Sequence, residues 1–574
     1  MEKRWVIAPP ITAAQAADYR PYQPLMAQLL VNRGLSAAAA ESFFSSDNET
    51  QWHTPLAFKK MSAAVALIVA KIKAGERLAI CGDYDADGVT ASAVLAETLR
   101  TLKAQLEVWI PNRLTEGYGL NSRVLREIKD AGCSLVITVD NGIRSRAEIA
   151  AAQKLGLTVI VTDHHAAPDE AADWPDCLII NPMLPGETYP FKYLAGVGVA
   201  FKLACALIEA STLAPAVKER LVNRIVDLVA IGTVADCVNI LGENRFLVRQ
   251  GLKAINRRSR VGLDELIKVS QLNGEIETWN ISWQLAPRLN VAGRLEHANT
   301  AYELLMTADR AQAAALAKKL NEQNHERQTE TQRLMEYSQN FVETNLADDK
   351  LLIVTSPNLT DDTADAWHEG IIGLVAGRLC ERYGKPALVI TLSDGKIKGS
   401  GRSIEGYNIL AVLETNKAWL ERFGGHKAAC GFTIKDKAAL TAFAAAARAQ
   451  VKQELSDEDL LPRLLIDAEL DLMTVDERMV EDLERLAPFG QGNKEPLFVS
   501  RRLVVRDKLT MGVDGQHVKF KFNNFWAVAF GEAAKWQTLA IGSQVDAAYT
   551  LEFNDFNGFR NIQLRLVDMK PSLS

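Results

Sequence analysis

The 574-residue sequence has no CxxC pair, and its seven cysteines stand singly and are odd in number. That argues against a disulfide framework and a zinc–thiolate site, and it fits a reducing cytoplasm. Nowhere do about 18 apolar residues run without interruption, and no apolar stretch follows the two basic residues of Met1-Glu2-Lys3-Arg4-Trp5. Neither export nor membrane insertion is therefore expected. An excess of positive charge is missing too: the formal net charge is −6, so any nucleic-acid site must be a local basic groove. What remains, 48% apolar and 24% charged residues over this length, suits several globular domains.

One stretch organises the rest: Leu78-Ala79-Ile80-Cys81-Gly82-Asp83-Tyr84-Asp85-Ala86-Asp87-Gly88-Val89-Thr90. A short apolar run, read as a buried strand, empties into three carboxylates spaced by two and a glycine that permits a sharp turn. Carboxylates so crowded stay ionised together only if a cation compensates them, which points to a hard metal. A calcium-binding EF-hand would share Asp83-x-Asp85-x-Asp87-Gly88, but Val94 stands where that loop needs its bidentate glutamate, and a strand precedes the loop instead of a helix.

From about residue 61 the pattern alternates strand and helix. The runs Leu78–Cys81, Leu106–Ile110, Leu135–Val139, Leu157–Val161 and Leu178–Ile180 have the rhythm of a parallel sheet covered on both faces. Functional residues of such sheets gather beyond the carboxyl ends of the strands. Three strands obey: Asp83, Asp85 and Asp87 follow the first, Asp140-Asn141-Gly142 the third and Asp163-His164-His165 the fourth. Further on, Asp227 lies in the apolar helical run Asn223–Asp236, where a buried carboxylate must be answered by a basic neighbour or a metal; beside the other motifs, the metal is favoured.

Residues 301–345 read as a long, polar connecting helix. A second α/β unit follows over 346–455, with two glycine-rich pieces, Gly399-Ser400-Gly401-Arg402-Ser403 and Phe423-Gly424-Gly425-His426-Lys427, whose side chains offer donors to phosphate oxygens. In 460–574, Val518, Phe520 and Phe522 alternate with Lys519 and Lys521, the period-two pattern of a small barrel. Residues 1–60 are expected to cap the first domain, which spans 61–300.

These motifs, in this order, resemble the DHH phosphoesterase superfamily and, within it, the RecJ-like single-strand-specific 5′ exonucleases, over nearly the whole chain. The resemblance implies an α/β fold: a parallel-sheet DHH domain, a long helix, a DHH-associated α/β domain and a terminal oligonucleotide-binding (OB) barrel. It implies two Mn²⁺ or Mg²⁺ ions held by Asp85, Asp87, Asp140, His164 and Asp227, with Asp140 bridging and Asp83 a further candidate. Two choices stay open there, Asp83 against Asp87 and Asp227 against Asp236. Asp83 and Asp163 are expected to orient the ligands, and His165 to face the scissile phosphate. Arg113, Ser400 and Arg402 are implied as a 5′-phosphate pocket, and Arg288 and His426 as substrate-binding residues. Where small-substrate relatives carry a histidine four residues before the Asp-x-Asp pair, this chain has Cys81, as RecJ-like sequences do.

The activity so implied is 5′→3′ hydrolysis of single-stranded DNA to 5′-mononucleotides in repair and recombination, with a helicase and a single-strand-binding protein as partners. Two alternatives remain from the sequence: a DHH phosphodiesterase of short oligonucleotides or cyclic dinucleotides, which the length and terminal barrel disfavour, and an inactive scaffold, which the intact motifs disfavour.

Overall fold

The computed structural model describes residues 3–45, 51–111, 119–295, 298–359, 365–536, 538–556 and 559–572. After a short N-terminal strand, β1 (Arg4–Ile7), the chain builds its first sheet from β2 (Arg77–Cys81), β3 (Gln105–Trp109), β4 (Cys133–Val139), β5 (Thr158–Thr162) and β6 (Leu178–Ile180). All five are parallel, in the order β3-β2-β4-β5-β6. Both faces are covered: Ile80, Ile137 and Ile160 enter one core, while Ala79, Val136 and Val159 enter another. That double burial explains why these strands are continuously apolar and do not alternate. In register, Cys81 lies opposite Thr138 and Val139 opposite Thr162, so the carboxyl ends of β2, β4 and β5 are nearly level. Whatever follows those three strands shares one edge.

A helix over Arg310–Asn345, N-capped by Asp309, leads to the second unit. It is not simply exposed: Ala317 and Leu320 belong to the first core, and Leu334, Met335 and Val342 to a core of the second unit. There β7 (Leu352–Thr355), β8 (Ala387–Ser393), β9 (Lys396–Arg402), β10 (Leu420–His426) and β11 (Ala429–Ile434) form a sheet in the order β10-β11-β9-β8-β7. Only the β7–β8 pair is parallel among them.

After β12 (Arg463–Ile466) and β13 (Ala468–Glu469) comes a closed barrel of β14 (Phe498–Met511), β15 (His517–Phe522), β16 (Phe525–Ala529), β17 (Gln544–Phe556) and β18 (Phe559–Pro571). The β14–β17 pairing closes the ring. Val518, Phe520 and Phe522 fill its core, and Lys519 and Lys521 point outward, their ammonium groups 4.5 and 5.8 Å from the Trp526 ring centre.

The N-terminal segment divides where the sequence suggested a single cap. Trp52 and Phe58 pack on the first core, but β1 pairs in parallel with β12, and Met26, Leu29, Leu30 and Phe43 sit in the barrel's core beside Phe498 and Leu486. Two short helices with one apolar stripe each cannot bury it alone, and the barrel supplies the surface.

Candidate metal centre

Strand β2 empties into Gly82-Asp83-Tyr84-Asp85, and Asp85 caps the helix Ala86–Thr101, its Oδ1 accepting from the Asp87 and Gly88 amides at 3.0 Å each. Asp87, in the first turn, accepts the amides of Gly196 and Val197 at 2.7 and 2.9 Å. These open the helix Gly196–Ala210, whose positive end suits a carboxylate. A side chain at Gly196 would overlap the Asp140 carboxylate, so only glycine permits this approach. Asp140 follows β4 with φ 63°, a left-handed conformation uncommon for a residue with a Cβ, and its amide donates to the Thr162 carbonyl at 3.0 Å.

After β5, Asp163 holds both histidines. Its Oδ1 accepts the amides of His164 (2.7 Å) and His165 (3.1 Å) and bonds His165 Nδ1 at 2.8 Å, while Oδ2 accepts the Ile143 amide at 2.9 Å. His164 Nε2 thereby stands 3.1 Å from Asp140 Oδ1 and 3.6 Å from Asp236 Oδ2.

Three sets of donor atoms each fall within 4.8 Å of one another: Asp83, Asp85 and Asp140; Asp87, His164 and Asp236; Asp140, His164 and His165. They share Asp140 and His164, so the seven residues make one connected cluster. The buried His164 Nε2 makes no hydrogen bond among the described residues, although two carboxylate oxygens lie close by. A bare lone pair beside carboxylate oxygens is satisfied by a cation. A donor set dominated by carboxylate oxygens suits Mn²⁺ or Mg²⁺. The neighbouring Cys81 thiol is pushed up to about 12 by burial and by Asp83, so it stays protonated and is no ligand.

Electrostatics agree with this fit. Burial, and then Asp85, pushes Asp87 up to about 7. Burial, with Asp87, Asp85 and Asp83, pushes Asp236 up to about 9 and holds Asp140 well above the usual carboxylate range. Without a cation these carboxyls retain protons. Burial and the adjacent His165 lower His164 to about 4, which leaves a neutral imidazole able to ligate. Burial alone would raise Asp163 and lower His165, but their mutual hydrogen bond reverses both, so Asp163 stays ionised and His165 favours its proton.

The structure corrects the ligand set at Asp227. Its carboxylate is taken by Arg260, with Nε to Oδ2 at 2.7 Å and Nη2 to Oδ1 at 3.1 Å, and Arg260 also meets Glu97 at 3.0 Å. A basic neighbour thus answers the buried charge. Asp236 joins the cluster instead, at the C-terminal cap of the helix Pro215–Ala235. The two aspartates are about two and a half turns apart and so lie on opposite faces. The sequence held a signal for this: an aspartate at a helix C-terminus opposes the macrodipole and needs another reason to be there. Asp83, expected to orient ligands, falls among the donors.

The remaining expected residues lie elsewhere. Arg113 is outside the described residues. Arg288 donates to Asn321 Oδ1 at 2.9 Å and to the Gln284 carbonyl at 2.7 Å. Its neighbour Asn290, not singled out from the sequence for this role, accepts the Ala86 amide at 2.7 Å and so braces the Asp85 turn. Ser400 and Arg402 come together on β9 beside Gly373 of the helix Glu369–Tyr383, and His426 ends the exposed strand β10.

Three family models match the chain: the DHH family N-terminal domain over residues 77–233, the DHHA1 domain over 350–453 and the RecJ OB domain over 466–568. The single-stranded-DNA-specific exonuclease RecJ of Bacillus subtilis is 36% identical over 96% of this chain and 68% of that protein. The RecJ of Escherichia coli is 31% identical over 96% of each. The crystal structure of RecJ in complex with Mn²⁺ from Thermus thermophilus covers 100% of this chain and 80% of its own at 28% identity, with a TM-score of 0.84.

Proposed function

This chain belongs to the RecJ family of single-stranded-DNA-specific exonucleases, and we propose that it hydrolyses single-stranded DNA from the 5′ end to 5′-mononucleotides, using two Mn²⁺ or Mg²⁺ ions, in DNA repair and recombination. The observation that carries the proposal is the meeting of Asp83, Asp85, Asp87, Asp140, His164, His165 and Asp236 at one sheet edge. When bound there, divalent metal supplies Lewis acidity that polarises the phosphate and the attacking water.

The chain's own groups do the rest. Asp140 and His164 stand between the other donors and hold them in one frame. Asp163 fixes His165 through Nδ1, and the raised proton affinity of His165 suits a donor to the developing negative charge on a phosphate oxygen. Ser400 and Arg402 offer donors that a terminal 5′-phosphate needs. Outward Lys519 and Lys521 flanking Trp526 give the barrel both charge and a stacking surface for a single strand. A helicase and a single-strand-binding protein are the partner classes that would present such a strand, and the cytoplasm is where they would meet.

The test uses single-stranded and duplex DNA of one sequence, labelled at either end, with and without Mn²⁺. We expect the 5′ label to leave as a mononucleotide from single strands only, and only with metal. Release of the 3′ label first, or equal digestion of duplex, overturns the proposal.

A further inference from the structure

Asp236 does not stand on its own domain alone. The residue after it, Cys237, has φ 58°, a left-handed conformation that persists in a non-glycine residue only where the surroundings over-determine it. From its own domain the loop is held by Asn244, whose Nδ2 donates to the Asn239 carbonyl at 3.0 Å and the Tyr193 carbonyl at 2.6 Å. From the other side it meets a turn of the C-terminal domain. The Ile240 amide donates to the Gln491 carbonyl at 2.7 Å. Gly490 presses on Ile240, where an added Cβ would lie 2.9 Å from Cγ1, and Gly492, at φ 75°, sits so near Asn239 that a Cβ would overlap its carboxamide.

The turn is itself firmly built. Gly490 and Asn493 exchange backbone hydrogen bonds at 2.9 and 3.1 Å. The buried Asn493 side chain donates to the Leu486 and Pro488 carbonyls at 2.8 and 2.9 Å and accepts Arg33 Nε at 2.8 Å. Arg245, from the helix that follows the loop, donates to the Leu486 carbonyl at 2.8 Å. The same turn also accepts Thr278 Oγ1 at the Phe489 carbonyl (2.6 Å), at the head of the segment that reaches Asn290 and the Asp85 turn.

We infer that the turn Pro488–Asn493 is a positioning element of the metal centre: Gly490 and Gly492 fix the loop Cys237–Ile240 and so set where the Asp236 carboxylate stands. The inference rests on the assignment of Asp236 as a metal donor. Its consequence is that the centre is complete only while the C-terminal domain is docked, so the domain proposed to bind the strand also finishes the site that cuts it.

The test is calorimetric titration of Mn²⁺ alone into the full chain. Removing an outer support of a metal ligand weakens metal binding about 10–100-fold, and Gly492→Ala should do the same. Asn239→Gly, added to Gly492→Ala, removes the group that the new methyl meets and should restore part of the affinity, the remainder being lost to the strain of an alanine at φ 75°. Asp236→Asn separates the two levels of the argument: if it binds Mn²⁺ as the wild type does, the donor assignment fails. If Asp236→Asn loses Mn²⁺ while folded Gly492→Ala keeps wild-type affinity, or if the double variant recovers nothing, the positioning role fails. Should Gly492→Ala not fold by circular dichroism, Gly490→Ala and its partner Ile240→Ala, which removes the Cγ1 that the new methyl meets, replace the pair, and the same comparisons decide.

Discussion

Replacing Asp227 and Asp236 one at a time by asparagine should separate two aspartates of one helix by the sign of their effects. Asp227 and Arg260 bury their side chains almost completely, to 4% and 3% exposure. Asp227→Asn keeps the volume and one acceptor but removes the charge that faces the guanidinium, leaving Arg260 with Glu97 and the carbonyls of Leu305 and Arg224. Breaking a buried pair from one side costs about 3–5 kcal/mol, and because Glu97 remains, about 3 kcal/mol is expected. At about 2–4 °C per kcal/mol for a domain of this size, the metal-free chain should melt roughly 6–12 °C lower. Asp236 behaves differently. Its carboxyl is pushed up to about 9 by burial and then by Asp87, Asp85 and Asp83, so near neutral pH it already carries a proton without metal. An amide there replaces a neutral acid, and the metal-free melting temperature should hold or rise. With Mn²⁺ at about 100 times its Kd, the native fold gains about 2.7 kcal/mol. Asp227→Asn should retain that gain and Asp236→Asn should lose most of it. Thermal melts with and without Mn²⁺ read all four quantities. If Asp227→Asn melts like the wild type without metal yet gains nothing from Mn²⁺, the roles of the two aspartates are reversed and the geometric argument is refuted.

Three further outcomes follow. The folded-state pKa values of Asp87 (about 7), Asp236 (about 9) and Asp140 are raised, so the metal-free fold should be most stable near the ordinary carboxylate value of about 4 and lose stability as pH rises through about 7 to about 9; Mn²⁺ should flatten that decline and bind with proton release, and melts or titrations that show no pH dependence would contradict it. Gly196→Ala should drive a methyl into the Asp140 carboxylate and lower Mn²⁺ affinity about 10–100-fold, whereas unchanged binding in calorimetry would show that the helix start can retreat. Arg402→Ala should impair digestion of 5′-phosphorylated strands more than hydrolysis of a simple phosphodiester; equal losses in the two rate assays would count against a 5′-phosphate pocket.

The first sheet was legible because burial on both faces leaves continuous β-rich runs, and each expected run falls within two residues of its strand from β2 to β6. The barrel was legible for the opposite reason: one buried face and one wet face impose alternation, as at Val518-Lys519-Phe520-Lys521-Phe522. Docking was not legible. The pairing of Arg4 with Arg463 joins segments far apart in the chain, and no local period records a partner so distant. The same blindness hid the turn at Gln491 that holds Ile240, since a glycine-rich turn looks alike whether it faces water or another domain.

At the metal centre, local pattern identified the groups that strand ends bring together, because Asp83, Asp85, Asp87, Asp140, His164 and His165 all follow strands whose register is fixed by the sheet. It chose Asp227 where the structure brings Asp236, at the C-terminal cap of the helix Pro215–Ala235, to the cluster. Burial cost says that Asp227 must be answered but not by what, and Arg260 lies 33 residues further along, on another element. Helical phase does more: if the face carrying Asp227 is turned to Arg260, Asp236 is turned the other way, toward His164. Opposition to the helix dipole at that position, and the strained Cys237 that follows it, then have a common cause, since a carboxylate placed against its local preferences needs both a cation in front of it and a neighbouring domain behind it.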